Sequence, residues 1–272
     1  MKKLKQILAL AAVVLLLALY AAAFIFAMMK SEAAQAMFRG AVGATILVPV
    51  LLYLFLMVAR TVRPAKSPVI DAVVFDVGNV LVEWTWRDMA EDLGISDEAA
   101  AVFGEKVFGS SLWSEYDRGV QSEEEALAGF AKVIPAEYEE QLGKLIGAID
   151  DSYSEFWYTR DWIRGLKRKG YKVYILSNWS RKSHDYIEQK GLLDFVKLAD
   201  GAVWSFACHY IKPEKEIYSY LFKTYGIDPS RAVFIDDNPE NVAAARKCGM
   251  SAIQFTDYND AVEKLEAVGV RW

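Results

Sequence analysis

The chain has 272 residues, 54% of them apolar and 25% charged, and a net charge of −5 at pH 7, room for one α/β domain plus additional segments. It holds two cysteines, Cys208 and Cys248, and two histidines, His184 and His209, none at metal-ligand or redox spacing. A disulfide scaffold, a Cys or His metal centre and imidazole catalysis are thereby excluded.

The first sixty residues are the additional segments. No charge interrupts the 23 residues from Ile7 to Met29 or the 19 from Ala41 to Ala59. At about 1.5 Å per residue each run reaches across a hydrocarbon core. Residues 1–60 are therefore expected to form a transmembrane helical hairpin with spans at about 7–29 and 41–59. A secretory signal fits the first run poorly, because its apolar region would be only about 7–15 residues long. Lys2, Lys3 and Lys5 precede the first span, and Arg60, Arg63 and Lys66 follow the second. The positive-inside bias makes this a two-pass membrane protein with both termini, and the domain that follows, in the cytoplasm.

Through residue 66 there are eight Lys or Arg against one acid, Glu32, which leaves 23 basic and 35 acidic residues for 67–272, a net of −12. Such an acidic domain excludes nucleic acid as a natural partner. The basic residues beside the spans suit the headgroups of anionic membrane lipids. Residues 61–68, cationic and twice interrupted by proline, read as an extended linker. It holds the domain within roughly 30 Å of the membrane, within reach of a lipid-linked phosphate or of a membrane protein partner.

From residue 69 to 272 the pattern changes. Val69 to Phe75 is a buried-strand run that stops at Asp76. Residues from about 84 to 160 carry helical patterning, at Met89 to Leu93, Ala99 to Phe108, Glu123 to Val133 and Ala136 to Ser154, with Ser122 and Glu125 placed as a capping box. They form an all-helical insertion with no comparable β run. Helix 161–169, strand 172–176, helix 181–190, a short strand at 202–206, helix 214–225, strand 232–235, helix 238–248, strand 251–255 and a final helix at about 260–268, with Asn259 as N-cap, complete the chain. Alternating strands and helices predict an α/β fold, a parallel sheet with helices on both faces.

Three strand runs end in polar residues, at Asp76, at Ser177-Asn178 and at Asp236-Asp237, and the carboxyl edge of an open parallel sheet is where ligands bind. Gly78 and Asn79 after Asp76 allow a sharp turn that aims amides at an anion. Three carboxylates converging without a cation in their own motifs call for one. Hard oxygen ligands beside a phosphate point to magnesium. Ser177 and Asn178 offer a hydroxyl and an amide to phosphoryl oxygens, and Lys212 offers a positive charge.

With these motifs in order, residues 70–260 resemble the haloacid dehalogenase-like superfamily, in the branch with a helical cap inserted after the first strand. The run Asp236-Asp237-Asn238-Pro239-Glu240-Asn241 and the helix after it are similar to the family's fourth motif. The resemblance implies a Rossmann-like core and a phosphatase acting on a small phosphorylated metabolite. It makes Asp76 the nucleophile, and Ser177 and Lys212 the residues that bind the transferring group. Asp76, Asp237 and the Gly78 carbonyl would hold Mg2+, with Asp236 a direct or water-mediated ligand. Asn79 and Asn178 complete the expected phosphate site.

In one respect the chain departs from the pattern. Most phosphatases of this superfamily carry an acid–base aspartate two residues after the nucleophile, where this chain has Gly78. The loss favours a leaving group that needs little protonation, such as an anomeric hydroxyl or an aryl or acyl phosphate, with Glu83 either a substitute acid or a solvated residue before the cap. It also leaves room for a catalytically weak domain that binds a phosphorylated ligand or partner. A 2-haloacid dehalogenase, which needs no metal, would leave Asp236-Asp237 without a purpose. Trp84, Trp86, Trp113, Tyr116 and Arg118 are expected either to line the pocket or to form the core of the cap.

Overall fold

The computed structural model describes residues 17–18, 20–29, 31–61 and 69–271. The chain divides into two compact units, Met1–Ser67 and Pro68–Trp272.

In the first unit, helix Glu32–Thr61 runs for 30 residues with Pro49 inside it. The Ser31 hydroxyl accepts from Ala34 N at 3.2 Å and caps its start. Met37, Ile46, Leu51 and Tyr53 are exposed along it. Its stretch Glu32–Leu51, with a mean hydropathy of 1.4, makes it the one helix among the described residues long and apolar enough to cross a membrane. The expected span 41–59 lies within this helix, which begins nine residues earlier than the uncharged run. Of the expected span 7–29, residues 7–16 and 19 lie outside the described residues, and residues 17–18 and 20–28 are helical. The linker after Thr61 also lies outside them.

The second unit is built on a five-stranded parallel sheet of order β5-β4-β1-β6-β7. Its strands are β1 (Ala72–Phe75), β4 (Lys172–Ser177), β5 (Gly201–Trp204), β6 (Ala232–Asp236) and β7 (Ser251–Gln254). β1 is fully buried because both faces are covered, which is why it reads as a continuous apolar run rather than an alternating one. Val73 and Phe75 face one layer, with Trp162, Ile163 and Leu166 of helix Thr159–Arg168, Ile187 and Leu265. Ala72 and Val74 face the other, with Ile217, Tyr218 and Leu221 of helix Lys215–Tyr225, Val242 and Ala245. Phe75 meets Trp162 edge to face with ring centroids 4.7 Å apart. Truncating such a wholly buried Phe costs about 3–5 kcal/mol.

The cap has a separate apolar core in which Phe103, Val107, Phe130 and Leu145 are buried. Its helix Glu123–Ala131 carries the expected capping box between Ser122 and Glu125. The insertion is not all helical. A two-stranded antiparallel ribbon, β2 (Val82–Trp84) with β3 (Tyr153–Glu155), joins its two ends. The helix expected over 136–154 is correspondingly broken, into a 3-10 turn Ala136–Tyr138, helix Glu139–Ala148, a second 3-10 turn Ile149–Ser152 and β3. Two further expectations are corrected. The strand expected at 202–206 ends at Trp204, with a short helix Ser205–Cys208 after it. The last helix, Tyr258–Ala267, is capped by Asp257, whose carboxylate accepts from Asn259 N and Asp260 N, and not by Asn259.

Candidate active site

Parallel register brings the site together. Phe75 pairs with Ile175 on one side and Ile235 on the other, so Asp76 and Asp236 emerge at one level of the carboxyl edge, with Ser177 one residue further along β4. Asp76 N donates to Ile235 O at 2.9 Å, extending the ladder one residue beyond the strand. The chain then reverses at Asn79, whose φ of 56° lies in the left-handed region that Asn tolerates. Asn79 N donates to Val82 O at 2.7 Å and closes the turn.

Asp76 Oδ1 accepts three bonds, each of 2.7 Å, from Val77 N, Ser177 Oγ and Lys212 Nζ. Oδ2 takes no hydrogen bond among the described residues, so one carboxylate oxygen is pinned and the other is left for chemistry. Lys212 Nζ also donates to Asp236 Oδ2 at 2.7 Å, and its side chain is only 1% exposed. Burial works against the ammonium, but Asp236 and Asp76 outweigh it and hold Lys212 above its ordinary pKa. Burial likewise pushes Asp76 up to about 7, opposed by Lys212 and reinforced by Asp236 and Asp237.

The oxygen-only donor set fits a hard divalent cation. Carboxylate oxygens of Asp76, Asp236 and Asp237 all lie within 4.8 Å of one another. Their parts are unequal. Asp236 is wholly buried, and both of its oxygens are engaged, Oδ1 by Asn238 N (2.9 Å) and Asn241 Nδ2 (3.0 Å), Oδ2 by Lys212 Nζ and Asn241 Nδ2 (3.2 Å). Asp237 is less enclosed, and Asn79 Nδ2 donates to its Oδ2 at 3.2 Å. Asp76 and Asp237 thus accept fewer hydrogen bonds than Asp236, whose Oδ2 holds Lys212.

Asn79 thus orients Asp237. Asn178 clamps a loop, its Nδ2 donating to Lys212 O at 3.0 Å while its Oδ1 accepts from Lys212 N at 2.8 Å. The amide expected to meet phosphoryl oxygens is in large part committed to holding the lysine's backbone. Glu83 is exposed on β2, 3.4 Å from the Ser154 hydroxyl, and does not reach the cavity.

Above Asp76 opens a cavity of about 370 Å³. Ser177, Lys212 and Asp237 lie at its floor, and Trp84, Phe108, Trp113, Tyr153 and Trp179 form aromatic walls. Trp84 stacks on Tyr153 at 6.0 Å and 10° and on Trp113 at 6.1 Å and 24°. Of the aromatics expected at the pocket or in the cap, Trp84 and Trp113 line the cavity, while Trp86 and Tyr116 are buried in the cap core. Arg118 makes a two-pronged ion pair with Glu214 at 2.7 and 2.8 Å.

Asp117 is the cavity residue that the motifs did not indicate. It ends the cap helix Ser111–Asp117, is 9% exposed and opens onto the same space as Asp76. Burial pushes its carboxyl up to about 8, against the pull of Lys212 and with the help of the Asp76 charge.

A parallel sheet with carboxylates at its carboxyl edge, and a mostly helical insertion that helps line the cavity beside them, places a pocket where open α/β sheets bind ligands. Residues 70–249 match the family model of a haloacid dehalogenase-like hydrolase, and the chain belongs to that family. Among curated relatives, the D-ribitol-5-phosphate phosphatase of Bacteroides thetaiotaomicron is 27% identical over 73% of this chain and 98% of its own. A sesquiterpene phosphatase of Aspergillus oryzae is 26% identical over 68% and 90%. A drimenol cyclase of Aspergillus calidoustus is 26% identical over 72% of this chain, which spans only 36% of that longer protein. Two solved structures share the fold. One is a haloacid-dehalogenase family enzyme of Bacteroides thetaiotaomicron in complex with magnesium and inorganic phosphate (TM-score 0.53, 21% identity, 69% of this chain and 94% of that one). The other is the L-2-haloacid dehalogenase of Xanthobacter autotrophicus with chloropropionic acid covalently bound (TM-score 0.53, 18% identity, 74% and 84%).

Proposed function

We propose that this hydrolase is a membrane-anchored, magnesium-dependent phosphatase that cleaves a phosphomonoester through a phosphoaspartyl intermediate, with its second unit facing the cytoplasm. The observation that carries the reading is the asymmetry of Asp76, with Oδ1 pinned by three donors and Oδ2 without a hydrogen bond among the described residues, in a residue that lines a cavity with a serine, a lysine and a further carboxylate. A carboxylate so fixed is pre-aimed as a nucleophile and loses little orientational freedom on reaction.

In this reading Asp76 Oδ2 attacks phosphorus. The Ser177 hydroxyl and the Lys212 ammonium, already at Asp76, bind the equatorial oxygens on which charge gathers. Asp236 holds Lys212 in place, and Asn178 fixes the lysine's backbone. Mg2+ held by Asp76, Asp237 and the Gly78 carbonyl, with Asp236 reaching it at most through water, would supply further neutralisation of the phosphoryl oxygens. The aromatic walls exclude water from the attacking face and give an apolar surface to the leaving group. They suit a small phosphorylated metabolite and equally a lipid-linked phosphate, which the membrane-spanning character of Glu32–Thr61 would bring close. A membrane protein partner would explain the same anchor.

The test is phosphate release by the full chain in detergent from a panel of sugar, aryl and isoprenoid monophosphates, with Mg2+ or with EDTA, beside Asp76→Asn. Release that needs Mg2+ and disappears in Asp76→Asn is expected. Absence of release from every substrate by folded protein would instead identify a domain that only binds phosphorylated ligands.

A further inference from the structure

Expulsion of an alkoxide from a phosphomonoester needs a proton at the leaving oxygen, and Gly78 cannot give one. The carboxyl groups around the cavity divide by their partners. Asp76 is the nucleophile, Asp236 is saturated by Lys212, Asn238 and Asn241, and Asp237 is bonded to Asn79 and placed for the metal. Asp117 is different. It comes from the cap and lines the same cavity as Asp76, and it has no ion pair within 4.0 Å among the described residues.

Its placement is built from both sides. The Ser205 hydroxyl, wholly buried, donates to Asp117 O at 2.6 Å and accepts from Trp179 N at 2.9 Å, tying the end of the cap helix to the core. Arg118, the next residue, grips Glu214, two residues past Lys212, and donates to His209 O at 3.2 Å. Gly119, with φ of 73°, lies so near the core that a Cβ there would sit 2.8 Å from Phe206 Cα. Three consecutive cap residues are thus locked against the short helix Ser205–Cys208 and the segment after it that carries Lys212.

Resting on the phosphatase reading, we infer that Asp117 is the acid–base residue of this enzyme, supplied by the cap in place of the carboxyl that Gly78 lacks. In the first step the bond from Asp76 Oδ2 to phosphorus forms and the bond from phosphorus to the leaving oxygen breaks. The Asp117 proton goes to that oxygen, giving an alcohol, an aspartyl phosphate and the Asp117 carboxylate. In the second step water attacks phosphorus and loses a proton to Asp117 as the bond to Asp76 breaks. Inorganic phosphate leaves, and both side chains are restored. The groups facing Asp117 suit the cycle. The Ser180 backbone pulls its pKa down, Lys212 and Asp76 line the same cavity, and Tyr116 and Tyr153, both raised above their ordinary pKa by burial, stay neutral beside it. The assignment also removes the need for a leaving group that departs unprotonated, so alkyl phosphates become substrates.

The experiment compares ribitol 5-phosphate, an alkyl phosphate, with 4-nitrophenyl phosphate, whose leaving group needs no proton, on the full chain with Mg2+. In Asp117→Asn, turnover of the alkyl phosphate is expected to fall by about 10²–10⁴-fold. The aryl phosphate should still give a burst of nitrophenol equal to the enzyme, followed by slow phosphate release, because phosphorylation proceeds while the base for water is missing. Equal losses on both substrates without a burst, or wild-type turnover of both, would overturn the assignment. A second measurement needs no variant. In the wild-type chain the ratio of alkyl to aryl phosphorylation rates should fall as the pH rises through about 8, and a ratio independent of pH would overturn it. Failure of Asp76→Asn to abolish release would instead strike the phosphatase reading itself.

Discussion

Replacing Lys212 by Met isolates what one buried cation does. The ammonium lies 2.7 Å from Asp76 Oδ1 and 2.7 Å from Asp236 Oδ2, with the side chain 1% exposed. Methionine keeps most of the side-chain volume, so the cavity term is small and the electrostatic loss dominates. Breaking a buried pair by removing one partner typically costs about 3–5 kcal/mol, because the remaining charge is stranded. For a unit of this size that lowers Tm by roughly 6–20 °C. All eight tryptophans lie beyond Pro68, so fluorescence-detected melting reports on the catalytic unit alone. The deficit should also depend on pH. Without Lys212, the principal force lowering the Asp76 pKa is gone, and the folded-state carboxyl titrates higher still, above its value of about 7 with the lysine present. A raised folded pKa weakens folding as the pH climbs from the unfolded value near 3.8. Wild type and variant should therefore lose stability in parallel up to about pH 7, and the gap between them should widen as the pH rises further. Turnover should fall by about 10²–10³-fold, the usual loss for one oxyanion donor. A variant melting within about 1 °C of wild type at pH 7, with turnover retained, would refute the electrostatic account of the site.

Three further outcomes follow from the same geometry. Asp117→Asn should stabilise the fold at pH 7–8 and leave it unchanged near pH 4. The buried carboxyl, pushed up to about 8, opposes folding increasingly above its unfolded value, by about 1.4 kcal/mol per pH unit, and thermal melts at the two pH values check this. Gly119→Ala, at φ 73° and facing Phe206 backbone, should cost about 1–3 kcal/mol and lower kcat more than it raises KM, as steady-state kinetics would show. Asp237→Asn should raise the Mg2+ concentration needed for half-maximal activity and shrink the rise in Tm that Mg2+ gives, whereas Asn79→Ala should do the same more weakly because it only orients Asp237.

Much of the sheet was legible because its strands are short apolar runs that stop at polar residues, and that same boundary placed Asp76, Ser177 and Asp236 on one edge. The capping box was legible because Ser122 and Glu125 are local. The ribbon of Val82–Trp84 and Tyr153–Glu155 was not, since two strands of three residues show no periodicity and pair across the whole cap. Apolar spacing over 136–154 looked like one helix because tertiary contacts, not propensity, break it at Ile149. Asp117 carries no local signal at all. Its burial and its view of Asp76 arise only when the cap folds onto the core, and the one hint in sequence is the Arg-Gly pair after it, which demands a turn. Likewise, nothing local shows that Asn178 holds the backbone of Lys212, 34 residues away.

The most direct measurement is a search for the phosphorylated enzyme, by rapid acid quench of the full chain during turnover with Mg2+, then proteolysis and mass spectrometry. The account predicts a phosphoryl group on the Asp76 side chain, lost on treatment with hydroxylamine and absent from Asp76→Asn. Phosphate release by an Asp76→Asn chain, or turnover with label on another residue, would contradict it.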